Sequence, residues 1–374
     1  MSHTYSEFLP SYSVGVDCYK AIPEIVKPYG KKAVAVGGKT AMEKSKKALL
    51  EGIKGSDIEI IDFVWYGGDS SYENVEKIKN NPSVQKADMV FGIGGGRAVD
   101  TAKTYCALYN KPLFSFPTIA SNCASCTSLS VMYNPDGTFK EYSYHKAPAI
   151  HTFINTKIIA ESPEKLMWAG IGDALSKEYE VIFACREKNM IHTPLLGKAI
   201  ASASTEPLIS FGKKALEDCK NNVPTEAIEQ VALAIIITAG LVSNFTVHEN
   251  NPNPEEDYYY NSSLAHCVYY GASLFPQCER QHLHGEIVSF GVLCLLTYDG
   301  QFEERNRIFE FNHSIGLPCT LGEIALTPDD VPAIAHKAAS VVEWKYVPGN
   351  PTEEAFINAI LATDKAGKEF LADK

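Results

Sequence analysis

The chain has no surplus of positive charge. With 34 Lys and Arg against 45 Asp and Glu, its net charge is -11. A polyphosphate partner needs an electropositive face, so the balance argues against a non-specific nucleic-acid surface. No apolar run reads as long as the roughly 20 residues of a membrane span. Residues 1–10 lack the charged and apolar regions of a signal peptide, and a cytoplasmic protein is expected. The ten cysteines are Cys18, Cys106, Cys123, Cys126, Cys185, Cys219, Cys267, Cys278, Cys294 and Cys319. They form no paired framework and read as reduced, small apolar residues. Cys123 and Cys126 have CxxC spacing, but without a second pair or a thioredoxin-like context they argue against a zinc or redox pair. Internal repeats and long low-complexity linkers are absent too.

What the chain does have is length and one glycine-rich turn. At 374 residues it exceeds what one core usually serves, and two domains are expected. The short run Ala87-Asp88-Met89-Val90 reads as a buried parallel strand, and Arg97 to Tyr109 as an amphipathic helix. Between them stand Gly94, Gly95 and Gly96, which let the backbone turn sharply and approach a ligand closely. The helix opening there offers unpaired N–H groups and a positive dipole end to a phosphate. This is not the G-x-G-x-x-G fingerprint, because the third glycine would fall on Arg97 or Val99. On the local residues alone, an ordinary Gly-rich turn with no ligand also fits.

Taken in order, the first part alternates strands with helices. Strands are expected at Lys32–Val36, Asp57–Trp65, the run before the glycines and Leu113–Phe116, with helices between them. That pattern gives a parallel sheet covered on both faces. Leu129–Tyr133 and Thr138–Tyr142, joined by Asn134-Pro135-Asp136-Gly137, read as a β-hairpin. Ala149–Ile159 reads as a last strand. Ser162 as N-cap and Pro163 at the first helical position mark the boundary. From there the three- and four-residue apolar spacing is helical, broken by a polar loop at 248–260. The expected class is α/β: a Rossmann-like nucleotide-binding domain over 1–161, then an all-helical metal- and substrate-binding domain over 162–374.

The spacing Gly94-Gly95-Gly96, Asp100, Lys103 resembles the GGGxxxDxxK signature of the metal-dependent, iron-containing alcohol dehydrogenases, in the glycerol dehydrogenase-like branch. Pro117-Thr118-Ile119-Ala120-Ser121, Gly170-Ile171-Gly172-Asp173-Ala174-Leu175 and His284-Gly285-Glu286 match the same family in order. The resemblance runs from about residue 10 to about residue 350. It implies the dehydroquinate synthase-like two-domain architecture, a small-molecule alcohol, hydroxy acid or oxo acid substrate, and a homo-oligomer. It also implies a cofactor site at Gly94, Gly95, Gly96, Arg97, Asp100, Lys103, Thr118, Ser121, Thr127, Leu129 and Tyr133. Asp173, His266 and His284 match the family's metal ligands. By residue type, one carboxylate and two imidazoles suit Zn²⁺ with a position left open, and the same set suits Fe²⁺. His282 has no such match. A metal acidifies an alcohol oxygen, and the nicotinamide takes the hydride.

The chain departs from glycerol dehydrogenases at two places. Cys123 stands where that branch has an aspartate that contacts glycerol. A neutral thiol removes a charge that would repel an acid, and the surrounding wording is closer to bacterial hydroxycarboxylate dehydrogenase. Cys123 therefore joins Asp173, His266 and His284 as a catalytic candidate, although it also reads as a space-filling residue. At Val36-Gly37-Gly38-Lys39-Thr40 the aspartate usual in NAD-preferring members is missing. Gly37 and Gly38 leave room, and Lys39 at a helix start suits a 2′-phosphate, which favours NADP over NAD. Lys39 also reads as a solvated lysine. The sequence thus predicts an NAD(P)-linked dehydrogenase acting on CH–OH, interconverting a small secondary alcohol or 2-hydroxy acid and its ketone or 2-oxo acid. Alternatives are a glycerol dehydrogenase using NAD, and a dehydroquinate synthase-like lyase. Against the lyase stand Asp173, where that branch carries a glutamate, and the lack of a basic cluster beside His266 and His284. A binding protein without activity is a third class, which the intact ligand positions disfavour.

Overall fold

A computed structural model describes residues 6–248 and 257–374. Six parallel strands form one sheet: β1 (Ser11–Val14), β2 (Lys32–Gly37), β3 (Glu59–Trp65), β4 (Met89–Gly94), β5 (Leu113–Pro117) and β8 (His151–Ile154), in the order β1-β8-β5-β4-β2-β3. Strand alternation divides its core into two faces. Ala33, Ala35, Phe91, Phe114, Phe116 and Phe153 pack on one side; Val34, Val36, Val90, Leu113, Val75 and Ile78 pack on the other. Buried on both faces, β4 and β5 read as continuous apolar runs. The hairpin is present as β6 (Leu129–Tyr133) against β7 (Phe139–Tyr144).

The helices that shape the sites are α1 (Lys39–Gly52), α2 (Tyr72–Lys79), α3 (Gly96–Tyr109), α4 (Glu164–Ala174), α5 (Ser176–Ala184), α6 (Leu264–Ala272) and α7 (His284–Tyr298). Ser71 caps α2 by accepting from the Asn74 N–H, as Ser, Thr and Asn do at helix starts.

Several expectations are corrected. The strand expected over 149–159 ends at Ile154, because the Asn155 side chain accepts from the N–H groups of Lys157 and Ile158 and starts the helix Thr156–Ala160. Ser162 does not act as an N-cap; its hydroxyl is buried without a partner, and the helix begins at Glu164. Asp173 lies in the last turn of α4. β1 is an edge strand with no counterpart in the sequence reading. Of the loop at 248–260, residues 249–256 lie outside the described residues; its flanks pair as β9 (Val247–His248) and β10 (Tyr258–Tyr259).

The chain forms two compact units: Met1–Leu166 with Lys214–Leu241, and Met167–Lys213 with Val242–Lys374. A single cut between 161 and 162 does not provide for the return of 214–241 to the first unit. Packing accounts for it. Gly240 lies so close to Cys126 that a Cβ would come within 2.5 Å of the Cys126 Cβ, and Lys220 pairs with Glu164 at 3.4 Å. The helix Glu226–Thr246 also corrects the reading of apolar runs. Its 21 residues are long and apolar enough to cross a membrane, yet 72% of its 18-residue apolar window is buried inside the protein. Among the described residues no other helix reaches that length and hydropathy.

Candidate functional site

Strand order creates the first site. β2 lies between β3 and β4, so the chain leaves β2 to one side and returns on the other, and the crevice at the carboxyl ends of β2 and β4 is a topological switch point. Both glycine turns meet there. The Gly38 N–H donates to the Ile93 carbonyl at 3.3 Å. Gly94 has φ +140, a conformation that favours glycine, and a Cβ there would press on Ala98 at 3.0 Å. Gly95 is the N-cap of α3, which has no side-chain cap. Beside Gly95 and Gly96 sit Ile119 and Asn122 of the loop that carries Thr118 and Ser121. The Thr118 N–H donates to Gly94 O at 3.3 Å, tying that loop to the turn.

The expected cofactor residues separate into two groups. Gly94, Gly95, Gly96, Arg97, Thr118, Ser121 and Lys39 follow the carboxyl ends of β2, β4 and β5. Tyr133 joins them through Arg97, whose guanidinium lies 4.7 Å from the Tyr133 ring centre. Asp100, Lys103, Thr127 and Leu129 instead form a buried clasp. The Lys103 ammonium is 2% exposed and donates to Asp100 at 3.0 Å, Thr127 at 3.3 Å and the Leu129 carbonyl at 2.6 Å. Asp100 accepts the Val131 N–H at 3.1 Å. Burial pushes the Asp100 carboxyl up, against the lowering pull of Lys103. In this structure the Asp–Lys part of the signature therefore fastens the hairpin to α3.

The room expected at Gly37 is absent. A Cβ on Gly37 would meet the Ile93 carbonyl oxygen at 2.3 Å, whereas one on Gly38 would be in ordinary contact with Ala41 at 3.7 Å. Lys39 is the first residue of α1, with its ammonium 4.5 Å from the centre of the Trp65 ring. Cys123 is half-buried in a turn, its carbonyl accepting from the N–H groups of Cys126 and Thr127.

The second site is assembled within the other unit by glycine contacts. A Cβ on Gly172 would meet the Gly285 carbonyl at 2.3 Å, and one on Gly285 would meet the Ala169 carbonyl at 1.9 Å. These two glycines let the end of α4 and the start of α7 touch backbone to backbone. A Cβ on Gly291, in α7, would meet the Ala265 carbonyl of α6 at 2.3 Å. Asp173 and His284 are thereby brought together, with His266 from α6 beside them. Their ligand atoms all lie within 4.8 Å of one another. Asp173 Oδ1 is 3.6 Å from His266 Nε2 and 3.2 Å from His284 Nε2. Tyr269 sets its ring edge-on to His284, with centres 4.1 Å apart.

Charge in this cluster favours a cation. Burial works to raise the Asp173 carboxyl, but the two imidazoles outweigh it and hold that carboxyl well below the usual range. Burial works to lower His266, but Glu180 and Asp173 overcome it and push the imidazole up to about 10. Two carboxylates, Glu180 at Nδ1 and Asp173 at Nε2, thus stabilise positive charge on the ring, and a divalent ion at Nε2 would displace the proton there. The donor set fits a metal with three protein ligands.

The sequence reading missed Glu180. It is fully buried and 2.7 Å from His266 Nδ1. Its signal is a carboxylate in phase with the buried Ser176, Phe183 and Ala184 on one face of α5. His282, unmatched in the sequence, pairs with Glu286 at 2.8 Å; Glu286 also accepts the Leu283 N–H at 3.0 Å and so caps α7.

Comparison with known proteins identifies the family. The family model for iron-containing alcohol dehydrogenase matches residues 10–154. Glycerol dehydrogenase from Thermotoga maritima is 31% identical over 315 residues, covering 81% of this chain and 81% of that protein. Hydroxycarboxylate dehydrogenase A from Escherichia coli K12 is 29% identical over 325 residues, covering 86% of this chain and 83% of that protein. The crystal structure of glycerol dehydrogenase from Schizosaccharomyces pombe has the same fold, with a TM-score of 0.85 at 24% identity over 100% of this chain and 93% of that one. The chain belongs to the iron-containing alcohol dehydrogenase family, oxidoreductases that act on CH–OH groups.

Proposed function

We propose that the protein interconverts a small 2-hydroxy acid or secondary alcohol and its 2-oxo acid or ketone, with NADP(H) favoured over NAD(H). Asp173, His266 and His284 are the proposed metal ligands, with zinc favoured over iron. The observation that carries this reading is their convergence within 4.8 Å, an oxygen and two ring nitrogens of the kind zinc takes with a position left open. When bound there, a divalent ion supplies Lewis-acid polarisation of the alcohol or carbonyl oxygen. The nicotinamide, when bound, carries the hydride.

The chain's own residues do the rest. Gly94 to Arg97 and the uncapped start of α3 receive the pyrophosphate, aided by Thr118 and Ser121. Asp100, Lys103, Thr127 and Leu129 hold the hairpin that presents Tyr133 to Arg97. Lys39, with no carboxylate at the end of β2, receives a 2′-phosphate. Cys123 keeps the substrate loop neutral, which suits an acid. The hydroxycarboxylate dehydrogenase among the relatives supports the acid reading; the glycerol dehydrogenases support a polyol and NAD instead.

A spectrophotometric screen of 2-oxo acids, ketones, glycerol and diols with NADH, NADPH and their oxidised forms tests this. Reduction of a 2-oxo acid at a higher kcat/KM than oxidation of any polyol is expected. Turnover confined to polyols overturns the acid reading, and no redox turnover with any of them overturns the assignment.

A further inference from the structure

The strongest unassigned feature is the carboxylate behind the metal cluster. Glu180 is 0% exposed, and burial of a charge is costly unless every lone pair is used. Here each oxygen has work. Oε1 accepts from the backbone N–H of Ser263 at 2.7 Å and of His266 at 2.9 Å. Oε2 lies 2.7 Å from His266 Nδ1. An ionised carboxylate can only accept, so the ring proton of a neutral His266 must sit on Nδ1. The lone pair is then on Nε2, the nitrogen that faces Asp173 Oδ1 at 3.6 Å.

We infer that Glu180 is the positioning residue of the metal centre: it fixes the His266 tautomer with Nε2 free to ligate, while its other oxygen caps the helix that carries His266. Its own distance from the metal is irrelevant to this role, which acts through the ring. The inference rests on the metal reading given above.

Glu180→Gln separates the two tasks. Only the amide carbonyl can accept from the two backbone N–H groups, so it takes the Oε1 place and the cap survives. The amide nitrogen then faces Nδ1 and donates to it. Nδ1 must become an acceptor, and the ring proton moves to Nε2, closing the ligating lone pair. The cap predicts an apo protein that melts near the wild-type temperature; the tautomer predicts weaker metal binding. Losing such a partner behind a ligating histidine typically costs about 10–100-fold in metal affinity.

Apo protein, prepared by dialysis against a chelator, is titrated with Zn²⁺ in competition with a chromophoric chelator, and apo melting is followed by calorimetry. The expected result is zinc affinity about 10–100-fold weaker in Glu180→Gln with little change in apo melting. Glu180→Asp, which stays acceptor-only, should bind zinc more tightly than the Gln variant. Wild-type affinity in Glu180→Gln, its failure to fold, or equal losses in Gln and Asp overturns the positioning role. His284→Ala is the control for the reading beneath it: if that variant binds zinc as tightly as the wild type, or the wild type binds none, the metal site itself is wrong.

Discussion

Gly37 and Gly38 stand side by side and play unlike parts. A side chain at 37 would run into the Ile93 carbonyl, while 38 is open and has φ -71, which any residue adopts. An aspartate at 38 would also cap α1, which has no side-chain cap. Gly38→Asp should therefore fold and shift preference toward NADH, because the carboxylate repels a 2′-phosphate and accepts ribose hydroxyls. A change of tenfold or more in the NADPH to NADH ratio of kcat/KM is expected, about 1.4 kcal/mol; an unchanged ratio rejects the assignment of Lys39 and this turn. At the proposed metal ligands, Asp173→Asn, His266→Ala and His284→Ala should each abolish turnover and bound metal without unfolding the chain. Retained metal by elemental analysis in His284→Ala would remove it from the ligand set. Cys123→Asp should depress kcat/KM for a 2-oxo acid at least about tenfold more than for glycerol, the equivalent of 1.4 kcal/mol of like-charge repulsion. Equal losses on the two substrates would reject the charge argument. That Asp173, His266 and His284 would come together was legible from the motifs around them and the family resemblance those motifs carry. Glu180 was not: a glutamate on a helix usually faces water, and only its partners reveal that this one does not.

Among elements, the decisive contact is that of α4 with α7. Their approach depends on Gly172 and Gly285, where a methyl group would sit 2.3 Å and 1.9 Å from backbone carbonyl oxygens. Backbone cannot yield as the tip of a side chain can. Gly285→Ala should thus force the helices apart, and cost more than 2 kcal/mol of stability, at the upper end of ordinary substitutions. Because the same contact brings Asp173 to His284, zinc affinity should fall with it. Chemical unfolding and zinc competition on the same preparation check this; a stable variant that binds zinc normally would show that the ligands are held by something else. The motifs His284-Gly285-Glu286 and Gly170-Ile171-Gly172-Asp173 were readable as strings, but sequence spacing does not reveal that their glycines touch. The strands β2, β4 and β5 were legible from continuous apolar runs. β1 was not, because Ser11–Val14 alternates serine with larger residues, is half-exposed and pairs with β8 alone. The 149–159 run misled because Ile158 and Ile159 suit a strand as well as a helix, and the Asn155 cap decides for the helix.

For the molecule as a whole, the return of Lys214–Leu241 to the first unit was beyond sequence reading. Helical periodicity marks an apolar face but does not say which partner covers it. The sheet of that unit also sets how stability responds to acid. His151 in β8 is 4% exposed and held between the hydroxyls of Ser11, at 2.6 Å, and Ser13, at 2.9 Å. Burial pushes its imidazole down to about 4. In the unfolded chain a histidine titrates near 6.5. Above that pH both states are neutral and the group has no effect. As pH falls from about 6.5 toward 4, the unfolded state binds a proton that the native state refuses, so stability is lost across that window. The loss attributable to His151 should be on the order of 1–2 kcal/mol by pH 5. Burial pushes the Asp100 and Glu343 carboxyls up, and their titration opposes the trend at lower pH. The wild-type slope is therefore a sum. Comparing it with His151→Gln cancels those carboxyls and isolates the imidazole. Urea midpoints measured by circular dichroism at pH 7.5 and 5.0 should fall less with acid in His151→Gln than in the wild type. Parallel falls in the two proteins would mean that His151 takes up its proton in the folded sheet, and that the seryl hydroxyls on β1 do not keep it neutral.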